Sequence, residues 1–251
     1  MSADAWLTGA SAAIAGAAAA TVYGAVPSQS QLFGRTVRRT AAGEQLAVTF
    51  DDGPNPAITP KLLDLLDLHR ARATFFLIGR FARQCPELVR EIAARGHLIS
   101  NHTDTHPNLF WCSPRRIRAE LQHCREAIAD VTGTPPAWFR PPYGFRNPWV
   151  ISAARALGMR TVMWTLIPGD WRAESARWLI RRMQPIAANA ANRAAAAAEG
   201  GDVLCLHDGG HRGLNADRTC TLAALEYWFP RWRDLGLEFV TIAEAVRAPA
   251  L

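Results

Sequence analysis

Lysine is almost absent from this chain of 251 residues, in which Lys61 is the only one. The other basic residues are arginines, and no run of arginine and lysine exceeds two residues. Nucleic-acid-binding surfaces typically cluster basic residues and interleave them with aromatic ones. The formal net charge of +6 therefore does not indicate a nucleic-acid partner, and we predict none.

Cysteine is also scarce, and the number and spacing of the cysteines indicate neither a zinc ribbon nor a disulfide-linked small protein. The five cysteines are Cys85, Cys112, Cys124, Cys205 and Cys220. Their number is odd, and no two have the C-x-x-C spacing of zinc ribbons. We predict scattered buried thiols, which behave as small apolar side chains, and no disulfide framework.

A strongly hydrophobic run of membrane-spanning length is missing. The segment Trp6 to Val26 carries no charge and is long enough to cross a bilayer. However, it consists largely of alanine and glycine, and Asp4 precedes it where a signal sequence has basic residues. We treat 1–27 as an apolar, Ala-rich N-terminal segment, either a membrane anchor or a packed helix. An anchor would place the protein at the cell envelope or membrane, whereas a packed helix is compatible with the cytoplasm.

Beyond this segment, apolar strand-like runs alternate with amphipathic helical patterns. Continuous apolar strands between helices indicate a parallel sheet covered by helices. No linker-like break divides 28–251, so we predict one α/β domain with a barrel-like sheet. The predicted strands are Leu46–Phe50, Ala73–Ile78, His97–Ser100, Ala137–Arg140, Arg160–Trp164, Asp202–Leu206 and Glu238–Ile242. The alanine-rich stretch Ala187–Ala198 is interpreted as the end of a helix that begins near Ala173.

Polar residues follow five of these predicted strands at the point where each ends. Ligands of parallel α/β proteins bind at the carboxyl ends of the strands, so these residues predict a functional site there. They are Asp51 and Asp52, His102 and His106, Arg140 and Tyr143, Asp170 and Trp171, and His207 and Asp208. Polar clusters at five strand ends are difficult to explain by packing alone.

The chemistry of these residue types indicates a metal site. His102 and His106 are four residues apart and share a face in either a helix or a strand. Two imidazoles and one carboxylate suit Zn²⁺, and also Co²⁺, Ni²⁺ or Mn²⁺, with coordination positions left for water and substrate. One acid of the Asp51–Asp52 pair would bind the ion, and the other would act as a base on water bound to it.

Five motifs carry a resemblance to a known family. The stretches TFDDGP, NHTDTH, RPPYG, GDW and LHD occur in this order between Gln45 and Val246. They resemble the motifs of the polysaccharide deacetylases with the NodB homology domain (carbohydrate esterase family 4). The resemblance implies a distorted (β/α)7-type barrel and a metal-dependent hydrolase that removes N-acetyl, or O-acetyl, groups from N-acetylglucosamine-type sugars.

The resemblance also implies a role for each residue. Asp52, His102 and His106 would bind the metal, and Asp51 would be the catalytic base held by Arg140. His207 would be the general acid, with Asp170 as its partner. The backbone N–H of Tyr143 would stabilise the oxyanion. Tyr143, Trp171 and Leu206 would contact the substrate.

Two positions depart from the family pattern. Ile167 stands where many members have a further aspartate, three residues before Asp170. Cys205 replaces the leucine that begins the last motif, and a smaller thiol there would loosen the pocket for the acetyl methyl group. Neither departure removes a predicted ligand, acid or base, so we expect activity.

Several alternatives remain open on the sequence. Two histidines and a carboxylate also occur in non-haem iron oxygenases, and a second rival is a non-catalytic carbohydrate-binding protein of the same fold. We expect the partner to be an acetylated amino-sugar polymer or a lipid-linked sugar, and the protein to be a monomer. His211 and Asp217 are candidates for the wall of the groove, whereas His69, His97 and His123 are interpreted as structural. The segment YWFPRWRDL is interpreted as a helix packed on the barrel.

Overall fold

The structure is a computed structural model that describes residues 15–195 and 200–246. The strands in these ranges are β1 (Gln45–Gly53), β2 (Thr74–Leu77), β3 (Leu98–Asn101), β4 (Trp138–Phe139), β5 (Arg160–Thr161), β6 (Asp202–His207) and β7 (Glu238–Phe239). The helices are α1 (15–25), α2 (Thr59–Leu68), α3 (Gly79–Gln84), α4 (Pro86–Ala94), α5 (Pro114–Thr132), α6 (Val150–Ala156), α7 (Ala176–Ala195), α8 (Thr219–Asp234) and α9 (Ile242–Ala245).

All the strand pairs are parallel, as the alternation of strands and helices predicts. The order across the sheet is β5-β4-β3-β2-β1-β6, and the short β7 pairs with the beginning of β1. Beyond β5 the chain continues to Leu166, which forms a parallel bridge with Leu204 of β6. The two ends of the sheet therefore meet, and the predicted single barrel-like α/β domain is confirmed.

Residues of β1 alternate between the helices and the barrel interior. Leu46, Val48 and Phe50 belong to a large apolar cluster that also contains residues of α2, α4, α7 and α8. Ala47 belongs to a second cluster, which includes Ile242 of α9. Because side chains alternate along a strand, Asp51 faces the interior, as Ala47 does, at the carboxyl end.

The ends of several helices follow the local signals in the sequence. Ser113 caps α5, and its hydroxyl accepts a hydrogen bond from the Arg116 N–H at 3.3 Å. Gly96 and Gly158 adopt left-handed conformations, with φ of 81° and 75°, directly after α4 and α6. An L-residue with a Cβ is disfavoured in that conformation, which explains why these helices stop at glycine. The short helix α3 was not predicted, since six residues give too short a periodic pattern.

Helices α7 and α8 also agree with the sequence predictions. Helix α7 runs to Ala195, and the last part of the alanine-rich stretch lies outside the described residues. Trp228, Phe229 and Trp232 of α8 are buried in the cluster between helices and sheet. The aromatic residues near the C-terminus are therefore mainly a packing surface, as predicted.

The described part of the N-terminal segment forms α1. Its residues 15–23 are exposed, and contact with the domain is concentrated at its end, where the buried Arg146 donates to the carbonyl of Pro27 at 2.7 Å. Residues 15–23 thus have little contact with the described domain, and the choice between a packed helix and a membrane anchor stays a prediction. Among the described residues, no helix combines the length and hydropathy needed to cross a membrane.

Candidate active site

A cavity of about 900 Å³ opens at the carboxyl end of the barrel. Residues predicted from the strand ends line it together with the loop that follows β6. The predicted residues in its wall are Asp51, Asp52, His102, His106, Tyr143, Trp171 and His207. The structure therefore brings together side chains that lie up to 156 residues apart in the sequence.

The three predicted metal ligands converge on one point. The Asp52 Oδ1 atom lies 3.1 Å from Nε2 of His106 and 3.5 Å from Nε2 of His102. All three residues are buried. When three atoms bind one ion through bonds of about 2 Å, the atoms lie at similar distances from one another. The triad is therefore spaced to bind a single metal ion.

Backbone distortion allows both acids to face the cavity. In a regular strand, neighbouring side chains point to opposite faces. Here the register of β1 against β2 shifts between Asp51 and Gly53, and Asp52 has a φ of 70°. His106 also has a positive φ, of 61°. Such conformations are uncommon for residues other than glycine and cost about 1–3 kcal/mol each, and they concentrate at functional sites.

The protonation of the triad suits metal binding. Nδ1 of His102 lies 2.8 Å from the carbonyl oxygen of Arg140, so this nitrogen donates and Nε2 keeps its lone pair. Burial raises the pKa of Asp52, but the interactions with the neighbouring imidazoles of His102, His106 and His211 outweigh burial and hold that pKa well below its usual value. Burial lowers the pKa of His106. These shifts favour a carboxylate at Asp52 and a neutral imidazole at His106, the forms that bind a metal ion.

Asp51 is held beside the triad by a buried arginine. The Arg140 Nη1 atom donates to Asp51 Oδ1 and to the hydroxyl of Thr49, in both cases at 2.7 Å. The guanidinium also lies over the ring of Phe76, 4.1 Å from its centroid. Arg140 is fully buried, and removing its partner would leave an uncompensated charge. Asp51 is thus held in position next to the metal ligands.

His207 and Asp170 form a second pair of polar residues, on the side of Asp51 where β6 adjoins β1. Nδ1 of His207 lies 2.8 Å from Asp170 Oδ1, and the His207 N–H donates to Oδ2 at 2.8 Å. Burial lowers the pKa of His207, but the charge and hydrogen bond of Asp170 outweigh it and raise the pKa to about 9. His207 is therefore an imidazolium at neutral pH, which is the form that can donate a proton.

Exposed aromatic side chains flank these charges. Trp171 packs edge-on against His207 at a centroid distance of 4.9 Å, and Tyr143 packs edge-on against His106 at 4.7 Å. Both rings are about half exposed. Ile167, which departs from the family pattern, also lines the cavity. These surfaces suit a sugar ring, whose faces carry apolar C–H groups.

The prediction that Leu206 contacts the substrate is wrong. Alternation along β6 points Cys205 and His207 into the barrel and Leu206 outwards, where it is fully buried in the large cluster that also contains Leu179 and Leu225. Leu206 is not among the residues that line the cavity. Cys205 takes the inward position instead, and its thiol donates to Asp51 Oδ2 at 3.4 Å.

A Leu206→Ala variant tests this placement. We expect a loss of about 2–5 kcal/mol in the free energy of unfolding, the usual range for a buried leucine truncated to alanine. The KM for the substrate should stay close to that of the wild type. Urea unfolding and steady-state kinetics measure the two effects, and a raised KM without destabilisation would restore Leu206 to the pocket.

The loop after β6 contributes a histidine that the sequence pattern indicated only weakly. His211 stacks on His106 with centroids 4.6 Å apart and planes at 13°, and its Nδ1 lies 3.9 Å from Asp52 Oδ2. His211 lines the cavity, whereas Asp217 does not and instead accepts a hydrogen bond from the N–H of Thr219 at the start of α8. A histidine on a loop has no periodicity that could reveal this placement.

Other histidines and acids lie outside the site. His97 is buried beside Phe75, and His69 stacks on Phe229. Asp104, between the two histidine ligands, pairs with Arg83 at 2.6 Å. Asp208 is buried and accepts a hydrogen bond from Thr59, so it connects the end of β6 to α2.

An Asp-His-His triad beside a carboxylate and an imidazole that can donate a proton is an arrangement suited to metal-assisted hydrolysis. The family model of polysaccharide deacetylases matches residues 38–162. The chain is 35% identical over 202 residues to the peptidoglycan-N-acetylglucosamine deacetylase of Bacillus cereus, covering 80% of this chain and 88% of the relative. The chain belongs to the polysaccharide deacetylase family, and the predicted enzyme class, a hydrolase of carbon–nitrogen bonds, is confirmed.

Two further comparisons show the range of this family. A chitooligosaccharide deacetylase of Rhizobium leguminosarum bv. trifolii is 35% identical over 203 residues, covering 78% of this chain and 89% of the relative. The crystal structure of a CE4 family pseudoenzyme from Bacillus anthracis is similar with a TM-score of 0.72 and 25% identity, covering 85% of this chain and 69% of that one. The fold thus supports different substrates and also occurs in a protein described as a pseudoenzyme.

Proposed function

We propose that this protein removes N-acetyl groups from an N-acetylglucosamine-type polymer or a lipid-linked amino sugar, using a divalent metal ion. The observation that carries the proposal is the position of Asp51 and His207 beside the buried Asp52–His102–His106 triad, at the base of an open cavity. The relatives named for peptidoglycan and chitooligosaccharide deacetylation support the substrate class.

The residues of the triad fit a metal ion. Among the described residues, Oδ1 of Asp52 is buried and makes no hydrogen bond of regular geometry, and the nitrogens beside it are Nε2 of His102 and His106. An unpaired buried carboxylate oxygen is unfavourable unless a cation compensates it. Two imidazoles and one carboxylate are a common ligand set for catalytic zinc, so we propose Zn²⁺ as the native ion, with Co²⁺, Ni²⁺ and Mn²⁺ as alternatives.

Bound there, the ion would polarise the acetyl carbonyl and make a water molecule more acidic. In the proposed reaction, Asp51 accepts the proton of the attacking water. Arg140 fixes the position of the carboxylate through Oδ1 and leaves Oδ2 directed towards the cavity side of the site. The N–H of Tyr143 would donate to the oxyanion, a type of interaction worth about 10²–10³-fold in rate.

His207 completes the reaction by donating a proton to the nitrogen that leaves. An amine is a poor leaving group until it is protonated, so amide hydrolysis needs an acid opposite the base. The contact between Nδ1 and Asp170 leaves Nε2 of His207 free to face the substrate. The proton taken by Asp51 and the one given by His207 balance over the cycle once they exchange with solvent.

The raised pKa of His207 predicts the alkaline limit of activity. The group donates only when protonated, so kcat should fall as the pH rises through about 9. An Asp170→Asn variant lacks the charge that raises this pKa, while burial still lowers it from the usual 6.5. We therefore expect the fall in kcat to begin near or below neutral pH in this variant.

The pH dependence of acetate release measures this shift. A Thr221→Val variant is the matched control, because it removes a hydroxyl that binds the same carboxylate at 3.0 Å but keeps the charge. Its alkaline limit should stay near that of the wild type. An unchanged limit in Asp170→Asn would exclude His207 as the group that titrates.

We also propose that the protein acts at the cell envelope. The uncharged stretch Trp6–Val26 and the peptidoglycan deacetylase among its relatives support this location. Fractionation of cells that express the full chain, compared with a chain that begins at Ser28, tests the role of the N-terminal segment. Equal recovery of both chains in the soluble fraction would contradict the proposal.

Acetate release from a substrate panel tests the function itself. The panel contains peptidoglycan, chitin oligomers, an acetylated exopolysaccharide and a lipid-linked N-acetylglucosamine, with an O-acetylated xylan to separate ester from amide cleavage. We expect turnover of at least one N-acetylated substrate, lost with chelator and restored by Zn²⁺ or Co²⁺. Turnover that resists the chelator would contradict the mechanism.

Sugar binding without turnover is the second candidate, since one similar structure is a pseudoenzyme. In this chain Asp51, His207 and the triad are all in place, which favours an active enzyme. Tight binding to a panel member without acetate release, in protein loaded with metal, would favour the second candidate. Membership of the deacetylase family argues against the iron-oxygenase alternative.

A further inference from the structure

A second set of metal-ligating side chains lies beside the triad. It consists of Asp51, Cys205 and His207, and one ligand atom from each lies within 4.8 Å of the others. Asp51 and His207 are register partners on the adjacent strands β1 and β6, and Cys205 precedes His207 by two residues on the same face of β6. The barrel therefore holds these three donors together whether or not the triad is filled.

We propose that Asp51, Cys205 and His207 form a second, inhibitory site for a thiolate-binding divalent cation such as Zn²⁺ or Cd²⁺. The existence of this site is independent of the proposed deacetylase function, and only its inhibitory effect rests on that function. The set contains a sulfur donor, whereas the triad contains none. Thiolate and imidazole together favour Zn²⁺ and softer ions over Mg²⁺ or Ca²⁺.

Each donor in the set has one position available to a cation. Arg140 occupies Oδ1 of Asp51, but Oδ2 is contacted by the Cys205 thiol at 3.4 Å. A cation would replace the thiol proton in this contact. Asp170 occupies Nδ1 of His207, so Nε2 is the nitrogen that remains. The three donors thus keep their existing supports when they bind the ion.

Metal ligands bind in their deprotonated form, so the thiol proton of Cys205 leaves to solvent when the cation enters. Burial raises the pKa of this thiol well above its usual value, and the charge of the bound ion would compensate the thiolate.

Occupancy of the second site would stop the proposed reaction. The same carboxylate that accepts the proton of water and the same imidazole that protonates the amine would both be bound to the ion. Activity should therefore rise as the triad fills and fall again at higher Zn²⁺ concentration. Leucine at position 205, the residue typical of the family pattern, offers no donor.

Cobalt titration tests the site without relying on turnover. The full chain is stripped of metal and titrated with Co²⁺ while the thiolate-to-cobalt charge-transfer absorption and the bound Co²⁺ per chain are measured. We expect two ions per chain, with the thiolate band growing with one of them. The variants Cys205→Leu and Cys205→Ser should lose that band and one ion, whereas Asp52→Asn should keep the band.

Cys220→Ser is the matched control, because Cys220 is a partly buried thiol on α8, outside this set of donors. Its Co²⁺ titration should give the same thiolate band and the same number of bound ions as the wild type. One ion per chain in the wild type, or a thiolate band that persists in both Cys205 variants, would overturn the proposal. Two ions with a thiolate band in a chain that deacetylates no panel substrate would keep the site and reject the function.

Discussion

An Asp51→Asn variant should lose about 10²–10⁴-fold in kcat, the usual contribution of a general base, while it keeps its metal ion. Asparagine has nearly the same shape, and its carbonyl oxygen can still accept the hydrogen bond that Arg140 donates to Oδ1 at 2.7 Å. What it cannot do is accept a proton from water. Acetate release on a panel substrate gives kcat, and elemental analysis gives the metal content.

The control for this variant is Asp64→Asn. Asp64 lies on α2, largely exposed, and pairs with Arg95 at 2.8 Å. Exposed ion pairs contribute about 0–1 kcal/mol to stability, so this variant should match the wild type in rate and metal content. If Asp51→Asn lost its metal along with its activity, Asp51 would be a ligand and the roles of the two neighbouring acids would need to be exchanged.

The convergence of polar residues at the strand ends was predictable from the sequence, because it follows from the topology of a parallel sheet. Parallel strands deliver their carboxyl ends to one edge of the sheet, so polar residues after β1, β3, β4 and β6 had to meet. The alternation of side chains along a strand was harder to use. It predicts which residues face the barrel interior only when the direction of one of them is already known. That is why Leu206 was assigned to the pocket and Cys205 was treated only as a departure from the family pattern.

Two features of the site follow from backbone geometry that residue types do not encode. The irregular register after Asp51 and the left-handed conformations of Asp52 and His106 direct the ligands to one point. Neither residue is glycine, so the sequence contained no sign of a positive φ. The stacking of His211 on His106 depends in turn on the path of a loop, which hydrophobic periodicity does not determine.

Arg140 shows how the packing and the chemistry of the site depend on each other. Its guanidinium is fully buried, lies against Phe76 and is balanced by the charge of Asp51. The arginine therefore holds the base in position, and the base in turn keeps the arginine from being an unpaired buried charge. A side chain with this role is structural and functional at once.

Loss of the metal ion should have an effect at least as large as loss of the base. In an Asp52→Asn variant the charged ligand becomes a neutral one, although the Nε2 atoms of His106 and His102 remain in place. Metal stabilisation of a developing oxyanion is worth several kcal/mol, so we expect kcat/KM to fall on the order of 10³-fold at limiting metal. Excess Co²⁺ should restore part of the activity, since the amide oxygen is still a weak ligand.

The matched control for this variant is Asp104→Asn, in the same loop as both histidine ligands. Asp104 is buried and bound to Arg83 at 2.6 Å, but it contacts no member of the triad. This variant should lose stability yet keep its bound metal and its activity per folded molecule. If Asp52→Asn and Asp104→Asn lost the metal equally, the effect would come from disorder of the loop. If Asp52→Asn instead kept both metal and rate, the ion would bind elsewhere, and the carboxylate between the two imidazoles would need another explanation.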